Sequence, residues 1–175
     1  MIDLLWSVLG FVMVVLGIIF VHELGHYVTG RWVVGIPSAD IKLVMTEFPQ
    51  HVALRDGDEW VGPDEFERYS ELYGSHDAEY EHLEVYIGAG ELVQTLGVVA
   101  STAVLISSGQ NSLAASIVLI SLLMTGAYVV FDASFSIFRG HPTGDYSGLW
   151  LASPLAAITV LLGFLVPHVL IYSLI

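Results

Sequence analysis

The chain has 175 residues, which is one domain's worth. A hydrophobic fraction of 55% with a mean hydropathy of +0.73 is too apolar for an ordinary soluble domain and predicts an integral membrane protein. The formal net charge of −13 argues against nucleic acid or anionic lipid heads held by basic patches, and the lack of cysteine excludes disulfides and thiolate metal sites.

The first apolar run, 4–21, is long enough for a ~30 Å hydrocarbon core. It runs straight into His22, without the basic segment or small-residue cleavage site of a signal peptide. One helix is expected over 2–29, with Gly30 as its stop. The polar interlude, 33–84, follows. Thirteen of the 18 acidic residues fall between Trp32 and Val85, and Lys42 is the single lysine, a balance that suits high external salt. Ile41, Leu43 and Met45 alternate with Lys42, Val44 and Thr46, which reads as a strand. Residues 47–50 can turn the chain and 51–55 can return as a second strand, completing a small β-hairpin. Asp56-Gly57-Asp58 marks a turn. Pro63 opens a short helix to about Leu72. Ser75 is the expected N-cap of the next helix, which runs on into the membrane.

Three more spans are expected at 85–106, 113–131 and 149–171, with Pro154 and Pro167 as kink points. The expected fold class is an all-α polytopic membrane protein. Its four transmembrane helices (4–29, 85–106, 113–131, 149–171) make one domain, with the β-hairpin and short helices in the first cytoplasmic loop. Arg31, Lys42, Arg55, Arg68 and Arg139 all lie in or beside the first and third loops. The positive-inside rule therefore puts those loops in the cytoplasm. The lipid bilayer, in the cell membrane, is the expected surrounding.

The run His22-Glu23-Leu24-Gly25-His26 lies toward the cytoplasmic end of the first span. On a helix the two histidines sit one turn apart on one face. Two neutral imidazoles there can hold one zinc ion, with Glu23 beside them as general base for an attacking water. Histidine and glutamate are costly in an apolar helix, which favours a functional role over a plain helix-end one. A catalytic zinc needs a third protein ligand. The candidates are Asp132, His141 and Asp145, and Asp145 is favoured over Asp132 because a loop-to-helix junction can aim a carboxylate at a neighbouring helix. An aspartate there can also be an N-cap. His51, His76 and His82 read as solvated surface residues. On the second span, Gly88-Ala89-Gly90 allow close helix packing. Gln94 can bond a substrate backbone, the oxyanion or a neighbouring helix.

The stretch from Phe20 to Tyr27 resembles the zinc box of the site-2 protease family of intramembrane metalloproteases. Ala89-Gly90-Glu91-Leu92-Val93-Gln94 is similar to that family's Ala-Gly-Pro-x-x-Asn stretch, with Glu91 for proline and Gln94 for asparagine. Pro142-Thr143-Gly144-Asp145-Tyr146-Ser147-Gly148 resembles its Pro-x-x-Leu-Asp-Gly-Gly junction, whose aspartate is the third zinc ligand. Gly144 stands there for leucine and Tyr146 for glycine. Phe131-Asp132-Ala133 is a rival match to the same aspartate. The resemblance implies one Zn²⁺ per chain inside the membrane, and cleavage of transmembrane protein substrates near the cytosol. It also implies a substrate held as an added strand on a sheet edge, which makes Ile41 and Leu43 candidate substrate-binding residues beside Gln94. The expected function is intramembrane zinc proteolysis. A non-proteolytic zinc-binding scaffold of the same fold is the alternative. A metal transporter fits less well, because the polar residues cluster toward one side.

Overall fold

The computed structural model describes residues 2–175. Among the described residues the chain is mostly helical, with four helices long and apolar enough to cross a membrane and one small three-stranded sheet. Helix α1 (Ile2–Thr29) covers the first apolar run. It does not stop at Gly30. The backbone continues as a π-helical turn, Gly30–Val34, and Gly35 ends it at φ 85°. Gly30 matters instead for packing: a Cβ there would meet Ile41 Cδ1 at 2.6 Å and the Tyr86 ring at 3.0 Å.

Strands β1 (Ile41–Val44), β2 (His51–Asp56) and β3 (Glu59–Val61) form an antiparallel sheet in that order. The hairpin expected from alternation is β1–β2, with Ile41 opposite Leu54 and Val44 opposite His51. The third strand was not expected. Gly57, at φ 59°, turns the chain so that Trp60 lies opposite Arg55 and Val61 opposite Leu54. Asp-Gly is a turn pair that admits positive φ, so the signal for this second hairpin was present.

One face of the sheet packs Ile41, Val52 and Leu54 against Tyr73 of α2 (Phe66–His76) and Tyr86 of α3 (Leu83–Ser107). Helix α2 begins at Phe66 rather than Pro63 and runs past Leu72, so Ser75 lies inside it and caps nothing. Asp77 takes the capping part: its carboxylate accepts from the N–H of Glu81 at 3.1 Å and of His82 at 2.9 Å, just ahead of α3. Burial alone would raise the Asp77 carboxyl, but the His82 N–H and the Tyr73 hydroxyl hold it below the ordinary range. Arg68 ties α2 to the sheet by reaching Asp56 and Glu59 at the β2–β3 turn.

Helix α3 is the central element. It packs against α1, α4 (Asn111–Arg139), α5 (Asp145–Ala152) and α6 (Pro154–Tyr172). The last apolar run is therefore two helices, not one kinked span. The Ser153 hydroxyl accepts from the Ala156 N–H at 3.2 Å, and Pro154 occupies the first position of α6. Together they restart the helix instead of bending it. Pro167 stays inside α6. Glycine sets the α1–α3 approach, since a Cβ on Gly25 would overlap the Ala89 carbonyl oxygen. Large apolar side chains such as Trp6, Leu123, Ile137 and Leu155 project outward.

Candidate metal centre

Helical spacing puts His22 and His26 on the α3-facing side of α1, with ring centroids 5.0 Å apart. Their Nε2 atoms are 3.2 Å apart. Asp145 Oδ2, from the first residue of α5, lies 2.9 Å from His22 Nε2 and 3.3 Å from His26 Nε2. These three side chains could hold a metal ion. Tetrahedral zinc with bonds of ~2.0–2.1 Å separates its ligand atoms by roughly 3.3 Å, so the triangle is the right size with small adjustment.

The hydrogen bonds behind the histidines fix which nitrogen faces the gap. His22 Nδ1 donates to Gln94 Oε1 at 3.0 Å, and His26 Nδ1 donates to the Tyr86 carbonyl at 2.9 Å. With both hydrogens on Nδ1, both Nε2 lone pairs point at the gap, which is the form a metal ligand takes. The direction at Gln94 is set in turn. Its amide nitrogen donates to Ser121 Oγ and Thr125 Oγ1, each at 3.1 Å, so its oxygen must face His22. Ser121 donates onward to His168 Nε2 at 2.9 Å, and His168 Nδ1 donates to the Phe164 carbonyl at 2.8 Å. Thr125 donates to Glu91 Oε1 at 2.9 Å. The chain of donors starts at His22, crosses four helices and ends at the Phe164 carbonyl.

Space for an ion comes from Gly90. A Cβ there would press against His26 Nε2 and lie 2.6 Å from His22 Nε2, so a methyl group would fill the gap between the ligand atoms. Donor set, tautomer and free volume all fit a bound metal.

The turn before α5 aims Asp145. Its N–H donates to the Tyr128 hydroxyl at 2.8 Å. Asp132, the rival third ligand, points elsewhere. Its Oδ2 accepts from the Ser147 N–H at 2.8 Å, and its Oδ1 accepts from the hydroxyls of Ser147 at 2.5 Å and Ser136 at 3.1 Å. It is a clamp on the first turn of α5 and lies outside the three-residue cluster. His141 also lies outside it and stacks on Phe66 with centroids 5.7 Å apart.

The cluster lines a cavity of about 1010 Å³, which Glu23, His51, Trp60 and Phe66 also line. Glu23 is half-buried there. Among the described residues its carboxylate accepts no hydrogen bond and forms no ion pair.

Gln94 lies behind His22, with both amide hydrogens committed to Ser121 and Thr125 rather than open to a substrate. Ile41 is 2% exposed and, with Leu43, packs into the core under the sheet; the structure brings neither side chain to the cavity. What β1 offers outward is its backbone edge. Sequence reading passed over Ser121, Thr125, Tyr128 and His168. A histidine in an apolar helix was the available signal, since polar groups at such depth are rarely unpartnered. Comparison of the chain with family models, with curated proteins and with solved structures finds no match in any of the three, so the site rests on its own geometry.

Proposed function

We propose that the chain is a polytopic intramembrane zinc metalloprotease that hydrolyses peptide bonds in or next to transmembrane segments of membrane-protein substrates. The observation that carries this reading is the convergence of His22 Nε2, His26 Nε2 and Asp145 Oδ2, with Glu23 lining the same cavity. Two imidazole nitrogens and one carboxylate oxygen, with no sulfur ligand, are a catalytic zinc donor set. Zinc held there by His22, His26 and Asp145 would polarise a carbonyl and make water a stronger nucleophile.

The remaining steps belong to the chain. Glu23 accepts a proton from the attacking water and later gives it to the leaving amine nitrogen. Asp145 brings the negative charge that balances the cation. Gln94 and the Tyr86 carbonyl keep the two imidazoles in the ligating tautomer. The four apolar helices support a bilayer setting. The basic residues of the first and third loops support a site toward the cytoplasm.

The test is zinc titration of purified protein together with cleavage of transmembrane reporters. One zinc per chain is expected. Glu23→Gln should keep the zinc and lose about 10²–10⁴-fold in kcat. Cleavage by Glu23→Gln at the wild-type rate would rule out the mechanism. Zinc binding by a wild type that cuts nothing across a broad panel would favour the scaffold.

A further inference from the structure

Five tyrosines line the cavity: Tyr69, Tyr73, Tyr80, Tyr86 and Tyr128. Four have their hydroxyl hydrogens committed. Tyr69 donates to the Val52 carbonyl, which leaves Tyr86 to donate to Tyr69 across their 2.7 Å contact. Tyr73 donates to Asp77 and Tyr80 to the Ser70 carbonyl. Tyr128 differs. Its oxygen accepts from the Asp145 N–H at 2.8 Å, and among the described residues its own hydrogen has no acceptor. Of the other side-chain donors near the cluster, Thr125 is committed to Glu91, Thr143 to Asp132, and Gln94 to Ser121 and Thr125, while the unpartnered Tyr146 hydroxyl is buried and does not line the cavity.

The place of this free donor is specific. Tyr128 is held to the backbone of the residue whose Oδ2 meets both histidines, and its ring lies edge-on to His22 at 6.4 Å. Gly144 keeps the hydroxyl uncovered, since a Cβ there would come within 2.5 Å of it. A donor held on rigid helices with its hydrogen unspent is the arrangement that stabilises charge appearing during a reaction.

We propose that Tyr128 is a catalytic residue whose hydroxyl donates a hydrogen bond to the oxyanion formed from the scissile carbonyl. This rests on the hydrolytic reading above. Water oxygen bonds to the carbonyl carbon, the π pair moves onto the carbonyl oxygen, and Glu23 takes the proton that water loses. Tyr128 keeps its own proton and only lends it as a hydrogen bond. On collapse the C=O bond re-forms, the C–N bond breaks, and the proton on Glu23 passes to the amine nitrogen. The products are a carboxyl and an amino terminus.

Tyr128→Phe in the full-length, zinc-loaded protein tests this, with zinc affinity, KM, kcat on a transmembrane reporter, and affinity for a phosphinic pseudopeptide as readouts. The phosphinate imitates the tetrahedral anion. Zinc affinity and KM should stay within about twofold, while kcat falls by about 10²–10³ and phosphinate binding weakens with it. Unchanged kcat, or unchanged phosphinate affinity, overturns the proposal. Loss of zinc from Tyr128→Phe also overturns it, because the tyrosine would then serve only to place Asp145. An inactive wild type overturns the hydrolytic reading itself, an outcome separable from an active wild type matched by Tyr128→Phe.

Discussion

Asp132, about two turns before the end of α4, and Asp145, the first residue of α5, are carboxylates with opposite surroundings. Asp132 is met by a backbone N–H and three hydroxyls, from Ser136, Thr143 and Ser147, and its lone pairs are spent on them. Asp145 Oδ2 is met only by two imidazole nitrogens whose hydrogens point away. A carboxylate becomes a structural clamp where donors are plentiful, and stays open to a cation where the facing atoms are themselves acceptors. The two roles depend on each other, because the Asp132 clamp shapes the turn from which Asp145 projects.

The largest expected effect is at Asp145. Asp145→Asn removes the anionic donor and should weaken zinc by more than the roughly 100-fold upper figure for an outer-shell group. If Asp145→Asn binds zinc normally and Asp132→Asn does not, the two roles are reversed. Gly90→Ala comes next. Its methyl occupies the gap while improving helix propensity by about 1 kcal/mol, so zinc binding should be lost with thermal unfolding little changed. Normal zinc binding by this variant would mean that the ion lies elsewhere. Asp132→Asn has the smallest effect, about 10-fold in zinc affinity, because its amide oxygen can still meet the Ser147 N–H while its amide nitrogen replaces the oxygen that accepts from the Ser136 and Ser147 hydroxyls. A zinc affinity equal to wild type would show that the turn is held without the clamp.

Much of this was legible from local pattern. The four apolar runs, the β1–β2 alternation and the His22–Glu23–His26 spacing each depend on neighbours along the chain. Misplaced features fall where one residue type serves two ends. Pro154 reads equally as a kink or as the first residue of a new helix, and only the hydroxyl of Ser153 on the Ala156 N–H decides it. Gly30 looked like a stop but is a close-packing site against Ile41 and Tyr86. The choice between Asp132 and Asp145 was open in the sequence because the third apolar run ends at 131, although α4 continues past Asp132 to Arg139, and the donors that separate the two come from other positions. The support behind His22 was least visible, since Gln94, Ser121 and His168 belong to three different helices.

The chain leaves helix between Gly140 and Asp145 at the level of the site, where Thr143 N–H is met by the Ser136 hydroxyl and Gly144 N–H by Ser147. Hydrocarbon cannot satisfy the carbonyls and amides of such a break, so in a bilayer it must face protein or an aqueous pocket. Hydrolysis consumes a solvent molecule in every turnover. On the hydrolytic reading proposed above, the interruption that aims Asp145, whose residues line the cavity, is also where the second reactant would enter an otherwise oily interior.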